Sequence, residues 1–100
     1  SEEDNKDEML GVFISESRKD LDRLHGALEK DDRQTVREIL HKNLPLWTSV
    51  RLDYPIEELQ TVVLSDPELW TEEQIRCIYK IGEAAGKLTT CAENIKKNIK

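Results

Sequence analysis

Apolar residues in this chain recur at steps of three and four over long stretches, and very little interrupts them. Four glycines and three prolines in 100 residues leave scant turn material, so the elements must be few and long. A repeat of three and four places one stripe on an α-helix, whereas the alternation that marks strands is scarce. The residues the chain favours, Glu, Lys, Leu, Arg, Gln and Ala, are helix formers. With 37% hydrophobic and 36% charged residues, it has enough apolar material to pack a core and too much to stay disordered. The expectation is one all-α domain over residues 1–100, with no internal repeat and no linker.

Local punctuation divides the chain into four helices. The first spans about Asp7 to Lys30, its stripe formed by Met9, Val12, Phe13, Ser17, Leu21, Leu24 and Leu28, with a break near Gly11 that would split off a short lead-in helix. Asp31 and Gln34 suit the N-cap and N3 positions of a second helix, Asp32 to about Leu52. There Val36, Leu40, Asn43, Trp47 and Val50 share one face, flanked by Ile39 and Leu44. Pro55 opens a shorter helix, Ile56 to about Leu64, with Ile56, Leu59 and Val63 inward. After a turn at 65–68, Thr71 and Gln74 form a capping box and Trp70 and Ile75 a hydrophobic staple. The last helix runs from Glu72 to near the C-terminus, with Ile75, Ile78, Gly82, Ala85, Leu88, Ala92, Ile95 and Ile99 inward. Its small residues at 82, 84, 85 and 86 admit a close neighbour. Short connections between amphipathic helices predict an antiparallel up-and-down four-helix bundle.

The net charge of −6 opposes nucleic-acid binding, which needs a basic face, and charge-driven binding to anionic membranes. No apolar run approaches the ~20 residues of a membrane span, and no signal-peptide pattern opens the chain. Cys77 and Cys91 would sit ~21 Å apart on one helix, too far to bridge, and lack the spacing of a zinc site. A reducing, cytoplasmic setting is the simplest inference. The opening SEEDNKDEM suggests a piece cut from a larger protein.

One stretch of the second helix, EILHKNLPLW (Glu38 to Trp47), breaks the pattern. His41 lies about 130° from the centre of the apolar stripe, with Arg37, Pro45, Thr48 and Leu52 on its side, so its ring faces solvent. Pro45 has no N–H to offer the His41 carbonyl four residues back, and its ring crowds that oxygen. A histidine near the middle of a helix, anchored by Leu40 and Leu44, is stiffly mounted. A neutral imidazole is a nucleophile near physiological pH and could take a phosphoryl group from a partner and return it. Such transfer asks the scaffold mainly for positioning and charge neutralisation. Arg37, at i−4 on the same face, and Lys42 are the nearest cations.

Three runs resemble histidine phosphotransfer (HPt) domains: Phe13-Ile-Ser-Glu-Ser-Arg-Lys-Asp-Leu-Asp-Arg-Leu, Ala27-Leu-Glu-Lys-Asp-Asp and Ile39-Leu-His-Lys-Asn-Leu. In that family a helix with such signals precedes an Asp-containing turn, and the phospho-accepting histidine follows eight to ten residues later, written AHxLKG. The likeness covers the first half of the chain. It implies that His41 is the phospho-acceptor, that Lys42 matches the lysine many members carry next, and that the domain is a four-helix bundle. It further implies a phosphorelay role in two-component signal transduction, as the C-terminal module of a bacterial hybrid sensor histidine kinase or as a free carrier. The sequence departs from the motif at Leu44, where the family has Lys, and at Pro45, where it has Gly. Lys42 or Arg37 would then supply the charge that stabilises the phosphoryl group, and the compact Pro45 would keep the approach open.

The expected protein is a phosphocarrier, not an enzyme on its own, with no cofactor or metal, and a monomer. Its partner would be a receiver domain of a response regulator or of the same hybrid kinase, docked on apolar residues around His41 from Leu44, Leu52 and the first helix. The competing reading is a non-catalytic helical interaction module, a degenerate relative that has lost the Lys and Gly. A metal-dependent enzyme is a weak third, since two histidines on different helices offer no ligand set. His25 reads as a solvent-flank residue, Asn43 as a satisfied core amide, and Trp47 and Trp70 as core anchors. The acidic run Glu2 to Glu8 reads as a solvated end.

Overall fold

The structure, a computed structural model, describes the backbone of residues 2–50, 52 and 55–98 and the side chains of residues 8–50, 52 and 55–97. Four α-helices account for nearly all of them: α1 Glu2–Glu29, α2 Arg33–Ser49, α3 Ile56–Leu64 and α4 Glu72–Asn98. Each packs on its two neighbours in the ring α1–α2–α3–α4. Arg18 of α1 pairs with Glu93 of α4, while Leu24 lies against Gly82, so α1 and α4 run antiparallel. Arg33 and Arg37 of α2 reach Pro67 and Val63 in turn, which sets α2 antiparallel to α3. This is the expected all-α up-and-down bundle.

The core is built from the predicted stripes. Leu24, Val36, Leu40, Leu59, Ile78 and Ile81 are almost fully enclosed, with Trp47 and Trp70 buried beside them. The Trp70 indole N–H donates to the Val62 carbonyl at 3.0 Å, so this anchor brings its polar edge inside with a partner. A Cβ on Gly82 would stand 3.6 Å from Leu24 Cδ2, an ordinary contact, so α1 sits against α4 at the distance a small residue sets.

The helix ends show how local chemistry works. The capping box forms as read: Thr71 N–H donates to Gln74 Oε1 at 2.9 Å, and Gln74 N–H donates to Thr71 Oγ1 at 3.1 Å. At α2 the cap moves by one residue. Asp32, not Asp31, accepts the Thr35 N–H, because Asp31 takes a left-handed φ of 54° and serves as the turn itself. A short 3₁₀ turn, Pro67–Leu69, fills the predicted connection before α4, with Asp66 accepting the Glu68 N–H.

Further expectations are corrected, among them Val50, expected inward on α2 but 39% exposed just past its end. No break occurs at Gly11: α1 is one helix of 28 residues. Met9 and Val12 are 72% and 63% exposed, because α2, with 17 residues, is too short to cover the N-terminal turns of α1. Ile95 is exposed near the end of α4, whose other neighbour α3 has only 9 residues, while Ile99 lies outside the described residues. Finally, α2 stops at Ser49 rather than Leu52, and the chain turns there. Leu52 donates its N–H to the Trp47 carbonyl and buries its side chain, so it contributes nothing to a surface beside His41.

Candidate functional site

α2 owes its position to five buried residues, Val36, Ile39, Leu40, Asn43 and Trp47, all on the inner face. The opposite face is open: Glu38, His41, Lys42, Pro45, Thr48 and Ser49 are exposed. His41 therefore stands on the outer crest of a helix held from beneath by a continuous row of core residues. Its ring meets no hydrogen-bond or ion-pair partner among the described residues. Pro45 lies within the helix one turn on, and α2 runs through it without interruption. Leu44 is half-buried and packs on the core, so it leans inward rather than lining the surface around the histidine.

The two cations expected near His41 are drawn aside, one to each neighbouring helix. Arg37 is half-buried and donates Nε–H to the Val63 carbonyl of α3 at 2.9 Å. Lys42 points about 100° around α2 from His41, toward α1. There its ammonium donates to Asp20 Oδ1 at 3.2 Å and lies 3.0 Å from Oδ2, with Glu16 at 3.5 Å. The hydrogen bond to Asp20, and then that carboxylate's charge, raise the Lys42 ammonium above its ordinary 10.5, with Glu16 adding less.

Asp20 is the residue that sequence reading passed over. It is only 4% exposed, at the α1–α2 contact. Asn43, 6% exposed, donates one Nδ2 proton to Asp20 Oδ2 at 3.1 Å and the other to the Ile39 carbonyl at 2.9 Å. Asn43 is thus the satisfied core amide expected of it, and the charge of Asp20 is met by that amide, the Lys42 ammonium and, at 3.8 Å on its own helix, the Arg23 guanidinium. A signal was present in the sequence: Asp20 falls between Ser17 and Leu24 on the inner stripe of α1, as Asn43 does on α2. Two polar residues on facing apolar stripes call for one another.

The remaining candidates sit away from the crest. His25 is exposed on α1 and lies 3.1 Å from Glu29 one turn on, as a solvent-flank residue would. Cys77 is half-buried, Cys91 is exposed, and both are free thiols. Among the described residues no three His, Cys, Asp or Glu side chains converge as metal ligands, and no helix is long and apolar enough to cross a membrane. An open apolar groove runs between α1 and α2, lined by Met9, Val12, Phe13 and Leu46 with Lys42 at its edge.

Compared with protein-family models, with curated proteins and with solved structures, the chain matches none of them.

Proposed function

We propose that this domain is a phosphocarrier of two-component signal transduction, taking a phosphoryl group onto His41 from the aspartyl phosphate of a receiver domain and passing it on. The observation that carries this reading is the placement of His41, an imidazole with no partner among the described residues, on the exposed crest of a helix whose other face is locked into the core. A ring nitrogen's lone pair attacks phosphorus, the new P–N bond forms, and the P–O bond to the aspartate breaks with its electron pair returning to the carboxylate. The second ring nitrogen keeps its proton or gives it to water. The same step in reverse delivers the group to the next aspartate.

The likeness of the three sequence runs to HPt domains supports the same reading. So does the all-α bundle, although this fold serves many functions. The exposed Met9 and Val12 and the α1–α2 groove provide the apolar contact surface for a receiver, which replaces the role first given to Leu44 and Leu52. On this reading the domain works as a monomer in the cytoplasm, alone or within a bacterial hybrid sensor kinase.

The competing reading, a non-catalytic interaction module, draws on a specific observation: the Lys42 and Arg37 head groups are both engaged by neighbouring helices. Incubation with a phosphorylated receiver domain separates the two. The carrier acquires phosphate that is labile in acid and stable in base, and His41→Gln acquires none. A panel of receivers that transfers nothing to the parent protein, or equally to His41→Gln, defeats the carrier reading.

A further inference from the structure

We propose that Asp20 is a positioning residue for His41, its carboxylate clamping the two residues after the histidine and restoring the stiffness that Pro45 removes from that turn. The inference rests on the phosphocarrier reading for its functional half. Its structural half stands independently.

The need for a clamp follows from Pro45. A regular helix would hold the His41 carbonyl with the N–H of residue 45, and proline has none. The turn that carries the histidine therefore lacks one rung of its ladder on the exposed side. Across the bundle, a single buried carboxylate meets the chain at this turn. Asp20 Oδ2 accepts from Asn43 Nδ2 at 3.1 Å, and both its oxygens lie within 3.2 Å of Lys42 Nζ. The second proton of Asn43 Nδ2 goes to the Ile39 carbonyl at 2.9 Å, so residues 39 and 43, which bracket the histidine, are tied to each other and to α1. Bonds to a charged, buried acceptor are the stronger kind, and Asp20 has little water to exchange them for. Lys42 thus acts through its grip on α1 and not as a ligand of the phosphoryl group.

A buried carboxylate could be satisfied in this way without serving His41, and a double-mutant cycle tells the two apart. The variants are Asp20→Asn, Pro45→Ala and their combination, with Lys42→Met as a second, surface route to loosening the clamp. Two quantities are read: hydrogen exchange of the amides of residues 42–44, 46 and 47 in unphosphorylated protein, and the rate of phosphoryl uptake by His41 from phosphoramidate. In that reaction imidazole nitrogen bonds to phosphorus, and ammonia leaves with the electrons of the broken P–N bond. The donor needs no docking surface, so the rate reports the histidine's setting alone.

Asp20→Asn should speed exchange in the 42–47 turn roughly tenfold or more relative to residues 78–85 of α4, and Lys42→Met should speed it less. Uptake should slow several-fold in both. With Pro45→Ala in the background, the missing rung is back and the effects of Asp20→Asn should shrink to about threefold or less. Equal effects in both backgrounds, or faster exchange spread evenly over the bundle, would overturn the clamp. A parent protein that takes up no phosphoryl group, yet shows the coupled exchange pattern, would uphold the clamp and overturn the phosphocarrier reading.

Discussion

Replacing Pro45 with Ala should stabilise the protein substantially, and the size of the gain follows from the structure. α2 is a continuous helix from Arg33 to Ser49, so Pro45 occupies a fully helical position and not a natural break. A proline there costs about 3 kcal/mol relative to alanine, through the missing N–H and the clash with the preceding turn. It also strains Leu44, since the residue before a proline disfavours the helical region. Pro45 is exposed, so little buried contact is lost with its ring. Against this, alanine gives the unfolded chain more freedom, which returns roughly 0.4–1 kcal/mol. The net expectation is a gain of about 2 kcal/mol, or a rise in Tm of roughly 8–16 °C for a domain of this size. Thermal and urea unfolding followed by helical circular dichroism measure it, with the m-value checking that the denatured state is unchanged. A variant no more stable than the parent would refute the argument, showing that the His41 carbonyl is satisfied elsewhere or that the proline ring packs productively.

His41→Gln should leave stability within about 0.5 kcal/mol of the parent, as its ring is exposed and has no partner among the described residues, and on the phosphocarrier reading it should abolish phosphate uptake; urea unfolding and a phosphotransfer assay read the two effects. Thr71→Ala removes the hydroxyl that accepts the Gln74 N–H and should cost about 1 kcal/mol by chemical denaturation. The Lys42 ammonium is raised above 10.5 in the folded protein by Asp20. Its stabilising contribution is therefore fully present below that pH and lost as pH climbs past it. The urea midpoint should fall between pH 9 and pH 12 by more in the parent than in Lys42→Met, and parallel curves would contradict the pairing. Native thiol titration should label the exposed Cys91 faster than the half-buried Cys77; equal rates would mean that α4 opens locally.

How far the sequence disclosed this structure depends on the range of the interactions involved. The capping box at Thr71 and Gln74 was legible because both partners lie within one turn. The bounds of α3 were legible for similar reasons, since the helix falls between Pro55 and Ser65-Asp-Pro. Periodicity named the inner face of α1 correctly but could not say where its covering helix ends, and Met9 and Val12 are exposed for that reason. Leu52 was misplaced because a helical wheel presumes the helix continues, and α2 had already stopped at Ser49. Helix geometry puts Arg37 on the side of His41, yet a long side chain chooses among all acceptors within reach. The carbonyl it found, Val63, belongs to a helix whose position no local pattern specifies.

The same distinction bears on what the site can do. The two cations expected beside His41 are engaged by neighbouring helices, and Lys42 lies among Asp20 and Glu16, so its charge is already offset. The whole chain carries −6, which makes the domain a poor host for a dianion without help. On the phosphocarrier reading, the neutralising charge must then come from the donor or recipient, and the domain supplies placement. An asymmetry of that kind suits a carrier. A histidine that held its phosphoryl group with strong cations of its own would sink the transfer into a deep intermediate, whereas one held in place but electrostatically unassisted returns the group readily. Rigidity at the turn 39–43 is therefore the property this surface most needs to protect. In this domain it falls to Asp20 and Asn43, two polar residues inside the core.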